Sequence, residues 1–459
     1  MDSNENLSDQ IKSEELDLNI FHKFSKQGAA YDIYDDKVAC FIIKETPMIV
    51  ISQKPYIYKD GVYIMDDSGN RLKSLIKRFI YSDVVRQPIL DRVYKLIISN
   101  IALEKQYEDI NKYPSSWINF KNGMFDVKEW NMIPHDPKYL STNQIPYSFF
   151  PDVNMKGSTS SNTIDKFIND VIPDQEDRTM LFEYIGYCMV RDTSKQKFMT
   201  ITGPGGTGKS TIIRLIEKLI GKDNICSVAL QDLTKRFYPT QLQGRLLNSC
   251  ADISKTAIEQ TDVIKKITGE DSLMGEYKGG AIFTFKSYAK LLFSANEIPI
   301  SLDDKSNAFY RRFLIIRIEK RGEHIDNLED KLEEEILILL QHVVYGLRDL
   351  YSRGYIFESK GSKENVVELY KDSDTAMAFI EEELTYDIHS KTSRDKLYAE
   401  YERYCLSNDR GALSRNGFYK NLRTKGYTET TDPQGIRYFK CLTFKETVFI
   451  SVQNTVFVD

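Results

Sequence analysis

Ten residues constrain this chain more than any others: Ile201-Thr202-Gly203-Pro204-Gly205-Gly206-Thr207-Gly208-Lys209-Ser210. From Gly203 to Ser210 they match the Gly-x-x-x-x-Gly-Lys-Ser pattern of a phosphate-binding loop. Glycines at 203, 205, 206 and 208 let backbone N–H groups converge on phosphate oxygens, where bulky side chains would block the approach. Lys209 can reach the β- and γ-phosphates of a nucleotide, and Ser210 can hold Mg²⁺. The flanks agree with such a loop: Lys197 to Ile201 reads as a short strand, and Thr211 to Ile220 carries apolar residues at helical spacing. A strand, a glycine turn and a helix N-terminus form the context the motif requires. The nucleotide-binding set is therefore Gly203, Pro204, Gly205, Gly206, Thr207, Gly208, Lys209, Ser210 and Thr211.

At 459 residues the chain has room for two to four domains. A net charge of -5 argues against a uniformly basic nucleic-acid coat, although a local patch or a ring of subunits could still meet phosphate. Six scattered cysteines include no Cys-x-x-Cys pair, which suggests reduced thiols in a cytoplasmic protein and no zinc site. No apolar stretch is long enough for a membrane span, and the acidic start is not a secretory signal.

Along the chain, residues 1 to about 17 read as a weakly ordered arm. Val38 to Ile43 and Met48 to Ile51 read as strands, and Asp60-Gly61 as a hairpin turn between Tyr56 and Ile64. A helical stretch from about Leu72 to Ile101 completes a small α+β domain. Asn122-Gly123 predicts a second tight hairpin. His135, between Pro134 and Asp136 with no His or Cys cluster nearby, fits a structural hydrogen-bonding residue better than a metal ligand. From Ile164 to Val190 helical periodicity returns, with Phe167, Ile168, Leu181, Ile185 and Cys188 expected inward.

The chemistry is concentrated between 197 and about 320. Arg245 to Asp252 reads as a strand ending in a carboxylate, where a phosphate-loop fold places its Mg²⁺–water carboxylate. Ala289 to Asn296 is a second apolar strand, ending in an amide that could orient attacking water or sense the γ-phosphate. Arg311 and Arg312 precede a third strand, where one could act as an arginine finger across a subunit interface. Gly275 to Gly280 and Phe283 to Phe285 fit a hairpin presenting Lys278 at its tip, a solvated turn lysine unless several copies line a channel. Residues 325 to 350 form a strong helical pattern, and a Gly/Ser/Lys break at 359–363 predicts a linker. The tail predicts helices around 366–384, 393–406 and 414–425, then a strand at 435–442. Arg415, Lys420, Arg423 and Lys425 concentrate on the third helix, a duplex-binding shape that an ordinary charged helix explains equally well.

With these motifs in this order, residues 100 to 459 resemble the superfamily 3 helicases of the phage and plasmid D5/P4-type primase–helicase family. More narrowly, they resemble replication initiator–helicases of mobile elements such as staphylococcal pathogenicity islands. The resemblance rests on the phosphate loop, Ile267-Thr268-Gly269-Glu270-Asp271, Leu291 to Asn296, Arg311-Arg312, and the stretch from Asn122-Gly123 to His135-Asp136-Pro137. It implies an α/β fold: a P-loop AAA+ core with a parallel sheet, preceded by a small α+β domain and a helical collar, and followed by a winged-helix domain. The implied domains are 1–112, 113–190, 191–358 and 366–459.

The resemblance further implies that ATP and Mg²⁺ are the cofactors, that the chain forms a homo-hexamer, and that it moves 3′ to 5′ on single-stranded or forked DNA. In that scheme Gly203 to Ser210 are Walker A, Asp252 Walker B, Asn296 sensor 1, Lys278 the DNA-gripping tip, and Arg312 or Arg311 the finger. Arg415, Lys420, Arg423 and Lys425 would contact origin duplex DNA. One departure stands out. Many family members pair two acids in Walker B, whereas Ala251 precedes Asp252 here, so Asp252 itself, Glu259, Glu270 or another carboxylate would supply the base. No primase motif precedes the collar, which makes a separate primase or a host replication protein the candidate partner of the N-terminal domain. Two alternatives remain: an origin-binding initiator that mainly melts its origin, and a small-molecule kinase or signalling NTPase indifferent to DNA.

Overall fold

The computed structural model describes residues 17–151, 162–253, 261–299, 307–323 and 325–445. The chain divides into two units, one through 1–254, 262–297 and 314–362, the other gathering 255–261, 298–313 and 363–459.

The first unit begins with an antiparallel sheet of Met48–Ile51, Lys54–Lys59 and Val62–Met65, with Asp60-Gly61 as its second turn. Helices Asp35–Glu45, Asn70–Lys77 and Gln87–Ile98 pack on it through Val38, Ile42, Leu72, Ile76, Val93 and Ile97. Val38 to Ile43 is therefore helical, contrary to the strand expected from sequence. A continuous apolar run does not distinguish a buried strand from a buried helix. Here Asp35 and Asp36 in the first turn and Lys44 in the last match the helix dipole, while Val38 and Ile42 share one buried face. The expected long helix from Leu72 is two helices.

A second antiparallel sheet pairs Trp117–Phe120, Gly123–Asp126 and Asn131–Ile133. Its tight turn is Lys121-Asn122, one residue earlier than the Asn-Gly signal implies, because Phe120 pairs with Gly123. The Asn122 amide closes the loop by donating to the Phe149 carbonyl (2.8 Å) and accepting from its N–H (3.0 Å). His135 has the structural role expected of it: its Nε2 lies 2.9 Å from the Phe120 carbonyl and 3.0 Å from Asn119 Oδ1.

Helices Thr163–Val171 and Gln175–Cys188 follow, started by Asn162 and Asp174 side chains that accept their free N–H groups. Phe167, Ile168, Leu181, Ile185 and Cys188 are buried as expected. The second helix is covered by Ile336–Arg353, and its fully buried Tyr184 donates to the Leu291 carbonyl at 2.7 Å, fixing the helices to the central sheet.

That sheet has five strands in the order Ile225–Cys226, Leu247–Cys250, Lys290–Ala295, Phe198–Thr202, Phe313–Arg317. The first four pair in parallel, and their near-continuous apolar sequences fit strands covered on both faces. Helix Lys209–Ile220 leaves the carboxyl end of Phe198–Thr202 and packs Ile212, Ile213, Ile216 and Leu219 into the core. An antiparallel hairpin, Ser272–Glu276 with Ile282–Lys286, makes a separate two-stranded sheet. The predicted linker at 359–363 is instead the start of helix Lys360–Ser373. Ser359 Oγ accepts the Ser362 N–H (3.0 Å), and Glu176 accepts the Lys360 N–H (2.8 Å). Small polar residues served there as a helix cap. The boundary between the two units still falls within this segment, after Ser362.

In the second unit, helices Thr375–Glu383, Arg394–Ser407 and Arg415–Thr424 enclose Phe379, Tyr401 and Phe418, the last two stacked at 4.2 Å. A sheet in the order Leu384–Ser393, Arg437–Phe444, Glu429–Thr431 completes it. The helix Arg415–Thr424 and the strand Arg437–Phe444 match expectation; the helix expected over 366–384 is two, Lys360–Ser373 and Thr375–Glu383, and the Leu384–Ser393 and Glu429–Thr431 strands were not anticipated.

The Tyr184 anchor gives a direct test of the helix-to-sheet connection. Replacing it with Phe keeps the ring and strands a buried carbonyl, so thermal or urea unfolding should show a loss of about 1–2 kcal/mol.

Candidate nucleotide site

The site is built where two neighbouring parallel strands end. Thr202 pairs with Ala295, so the next residues, Gly203 and Asn296, emerge side by side. The chain turns through Gly203 (φ +141°), Gly206 (φ +79°) and Gly208 (φ +101°) before the helix starts at Lys209. At Gly203 a Cβ would lie 1.9 Å from the Ile318 carbonyl oxygen, which itself sits beside the loop because the Ile318 N–H donates to Thr202 (2.7 Å). Thr207 Oγ1 braces the turn by donating to the Pro204 carbonyl at 3.0 Å.

Lys209 is only 5% exposed. Its ammonium donates to the carbonyls of Gly203 (2.6 Å) and Pro204 (2.7 Å) and to Asn296 Oδ1 (3.2 Å). The cation is thus positioned at the mouth of the loop by three neutral acceptors, with no carboxylate among these bonds. A charge held that way retains its attraction for an anion. The N–H groups of the helix's first turn add a second positive element.

A cavity of about 470 Å³ opens over this loop, lined by Gly205 to Thr211, Asp252 and Asn296. Asp252 follows strand Leu247–Cys250 in a left-handed conformation (φ +53°) that Asp tolerates better than most residues. Its N–H donates to Ser294 Oγ (3.2 Å), and the Ile253 N–H donates to the Ser294 carbonyl (2.9 Å), which attaches the turn to the strand ending in Asn296. Three residues far apart in sequence, Lys209, Asp252 and Asn296, therefore share one cavity. Ser210 and Asp252 contribute a hydroxyl and a carboxylate to the lining of this cavity, the hard oxygen donors that suit Mg²⁺.

The rest of the lining was not foreseen. It is made by Phe167 and Val171 of helix Thr163–Val171 together with Arg321, Gly322, Glu323, Ile325 and Leu328. Phe167 was expected only as core. Arg321 and Glu323 follow the edge strand Phe313–Arg317, whose position beside Phe198–Thr202 no local pattern reveals. Glu323 forms an ion pair with Lys166 of helix Thr163–Val171 (2.8 Å). Among the described residues the carboxylates lining the cavity are Asp252 and Glu323. Glu270 is exposed after helix Asp262–Thr268 and is not among the cavity's lining residues, while Glu259 lies outside the described residues.

Lys278 is exposed at the tip of the hairpin, as the glycine pattern predicts. Arg236 holds the hairpin next to its turn by a two-pronged bond to Glu276 (2.6 and 2.7 Å). Tyr277, next to Lys278, donates to Gln243 Oε1 (2.7 Å) and stacks on Phe283, and its partial burial pushes its phenol up to about 12. Arg311 is exposed, whereas Arg312 is buried and donates to the Ala308 carbonyl. In the C-terminal unit, three of the four basic residues proposed for DNA are in ion pairs: Arg415 with Asp395 (3.2 Å), Arg423 with Glu429 (2.7 Å) and Lys425 with the fully buried Asp374 (2.9 Å). Lys420 is exposed. No helix among the described residues is long and apolar enough to cross a membrane.

Two family models match the chain: one described as D5 N terminal like over residues 55–173, and one described as a family of unknown function (DUF5906) over residues 201–312. Among curated proteins, "Putative helicase 121R" of Invertebrate iridescent virus 3 is 31% identical over 219 residues, 44% of this chain and 23% of the viral protein. "Putative helicase L207/L206" of Acanthamoeba polyphaga mimivirus is 25% identical over 218 residues, 45% of this chain and 22% of that protein. The matches thus cover less than a quarter of each viral relative. Among solved structures, the apo NrS-1 C-terminal region (305–718) in its A form aligns with 88% of this chain and 98% of its own, at 12% identity and a TM-score of 0.49.

The loop geometry separates two neighbouring glycines. Gly203→Ala places a methyl against the Ile318 carbonyl at a left-handed φ, and should lower unfolding stability by about 1–3 kcal/mol. At Gly205 an added Cβ meets nothing within 4 Å, so Gly205→Ala should unfold as the parent does. Equal melting curves for the two variants would contradict the close approach.

Proposed function

We propose that the chain is an ATP-driven DNA helicase of the D5 type. Lys209, Asp252 and Asn296 meeting over a glycine loop at the ends of two adjacent parallel strands is the observation that carries this reading. The similarity of residues 55–173 to the D5 N-terminal model, and of parts of the chain to virus proteins named as helicases, supports the polymer rather than a small acceptor as the object of the energy. In this reading the core is of the P-loop AAA+ type, the C-terminal unit is a winged-helix module, and the element served is a phage, plasmid or genomic island.

The glycine loop and the N-terminus of helix Lys209–Ile220 would hold ATP's phosphates. Lys209 exchanges a loop carbonyl for a γ-oxygen and draws charge from the breaking bond. Asn296, already bonded to Lys209, turns its amide toward the attacking water. Ser210 and Asp252 would hold Mg²⁺, which would supply charge neutralisation at the phosphates. Asp252 is the carboxylate placed to orient water. The exposed member of the arginine pair, Arg311, is the better finger for a neighbouring subunit of a hexamer, since Arg312 is committed to a backbone carbonyl.

The origin-melting reading gains from charge. Between Leu384 and Lys445 there are twelve Lys and Arg against seven Asp and Glu, although the whole chain is at -5. Initiation and unwinding are compatible in one protein. A kinase or signalling NTPase would hydrolyse or transfer phosphate without regard to DNA.

Three measurements test this reading. Lys209→Ala should lower ATP turnover by about 10²–10³-fold; turnover near wild type would remove the assignment. Mixing Lys209→Ala subunits with Arg311→Ala subunits should restore part of the lost ATPase, because some interfaces then pair an intact loop with an intact finger, and the same mixture with Arg312→Ala reports on its partner residue. Lys278→Ala should keep basal ATPase but lose its stimulation by single strands and the unwinding of a forked duplex with a 3′ tail. Unwinding only from a 5′ tail would reverse the proposed direction.

A further inference from the structure

Two lysines face each other on the solvent side of the C-terminal sheet. Lys391 and Lys440 are direct partners in the antiparallel register of Leu384–Ser393 with Arg437–Phe444, and both are exposed. The next pair, Thr392 and Phe439, is buried, so alternation directs the lysines outward. Like charges directly opposite one another destabilise a sheet. Lys391 is held with its ammonium 4.6 Å from the Tyr438 ring centroid, and Arg437 lies exposed at the start of the same strand.

The acids around this face are already engaged. Asp432 accepts from the N–H groups of Gln434 (3.0 Å) and Ile436 (2.8 Å) and from the Tyr438 hydroxyl (3.0 Å). These bonds hold its carboxyl below the usual range against its partial desolvation, and the nearby charge of Lys391 adds to the effect. Asp387 accepts from Ser390 and from the His389 N–H (3.1 Å). Glu429, opposite the buried Phe439, lies on the core side of the sheet and is shared by Arg394 (2.8 Å) and Arg423 (2.7 Å). No ion pair of Lys391 or Lys440 appears among the described residues.

The helix Arg415–Thr424 is in the opposite condition. Arg415, Arg423 and Lys425 would each have to leave a carboxylate to meet a phosphate, and Lys425 would leave Asp374 buried without its cation.

We propose that the DNA-contacting face of the C-terminal unit is the outer side of its sheet, centred on Lys391 and Lys440, and that it grips the phosphate backbone without reading sequence. The partner rests on the DNA reading above; the new element is which surface meets it and how. A phosphate between the two ammonium groups relieves their repulsion, so binding recovers what the free sheet loses. Lysine is a point charge that lacks the fork needed for bidentate base recognition, which makes this face a positioning contact.

The experiment uses the full chain without nucleotide and two blunt labelled duplexes of unrelated sequence, with affinity measured against NaCl concentration. Each phosphate contact on duplex DNA contributes about 0.9 to the slope of log affinity against log salt. The K391Q/K440Q double variant should therefore lower that slope by about 0.9, for the one phosphate the two lysines share, and weaken both duplexes equally. Thermal unfolding of K440Q should occur at the same or a higher temperature, since a like-charge contact has gone. An unchanged slope in the double variant overturns the proposal, as does a slope loss accompanied by a fall in melting temperature, which would make the lysines structural. A larger effect of K420Q than of K391Q/K440Q would return the contact to the helix. Single-strand stimulation of ATPase in the wild-type protein separates the two levels. If it is present while the duplex slope does not respond to K391Q/K440Q, only the placement fails; if it is absent and no duplex binds, the DNA reading fails.

Discussion

The Lys209 ammonium is held by two carbonyls of its own loop and by one amide from the neighbouring strand. That bond to Asn296 exists only because Phe198–Thr202 and Lys290–Ala295 lie side by side in parallel and end at the same level. Sheet order thus determines which distant residues can share the site. Leu247–Cys250 is the next strand out, and the Ser294 hydroxyl and carbonyl bring Asp252 back across the intervening strand end. On the other side, the edge strand delivers Ile318 against Gly203, a contact no residue with a side chain could occupy without displacement. The glycine at 203 is required by a neighbour's backbone as much as by any phosphate.

The helices Thr163–Val171 and Gln175–Cys188 belong to this arrangement as well as to the core. Phe167 and Val171 form part of the cavity wall, and Lys166 on the same helix pairs with Glu323 on the facing segment. Tyr184 on the next helix is bonded to Leu291, in the strand that carries Asn296. A displacement of the loop carrying Arg321 and Glu323 would therefore act on these helices through an ion pair, and one of the Asn296 strand through a buried hydrogen bond. The exposed ion pair is the weaker of the two links, since solvent screens it. The buried bond is the stiffer one.

Residues with a strong local grammar were legible in the sequence. The glycine loop, the Asp60-Gly61 turn, the helical periodicity from Ile164 to Val190 and the exposed Lys278 tip each depend on neighbours within a few positions. The failures share a different cause. Val38 to Ile43 is apolar throughout, so its period is hidden, and the deciding features were the acids before it and the lysine after it. At 359–363 small polar residues cap a helix, a role set by Glu176 and Asp177 from a distant helix. Arg321 and Glu323 carry no motif at all; they enter the cavity wall through strand order. Charge counting found the basic residues of the C-terminal helix but not the acids assigned to them.

That last failure bears on how a chain of net charge -5 could hold DNA. Counting cations on a helix assumes that each is available, yet a basic residue facing a carboxylate offers an approaching phosphate little net field, and it must also pay the cost of separation. A cation facing another cation does the reverse. In the proposed contact the Lys391–Lys440 register disfavours the unbound sheet and so increases the difference that an anion can recover. The overall charge counts for little at this distance, because at physiological salt the field of a distant acid is screened beyond about 8 Å. What matters is the local pairing, which strand register decides: a one-residue slip of Leu384–Ser393 would turn Lys391 toward the core and bring Thr392 to the surface. The bulge between Tyr386 and Lys391 resets the pairing that Tyr386 makes with Leu442, and so fixes the register that sets the two lysines opposite each other.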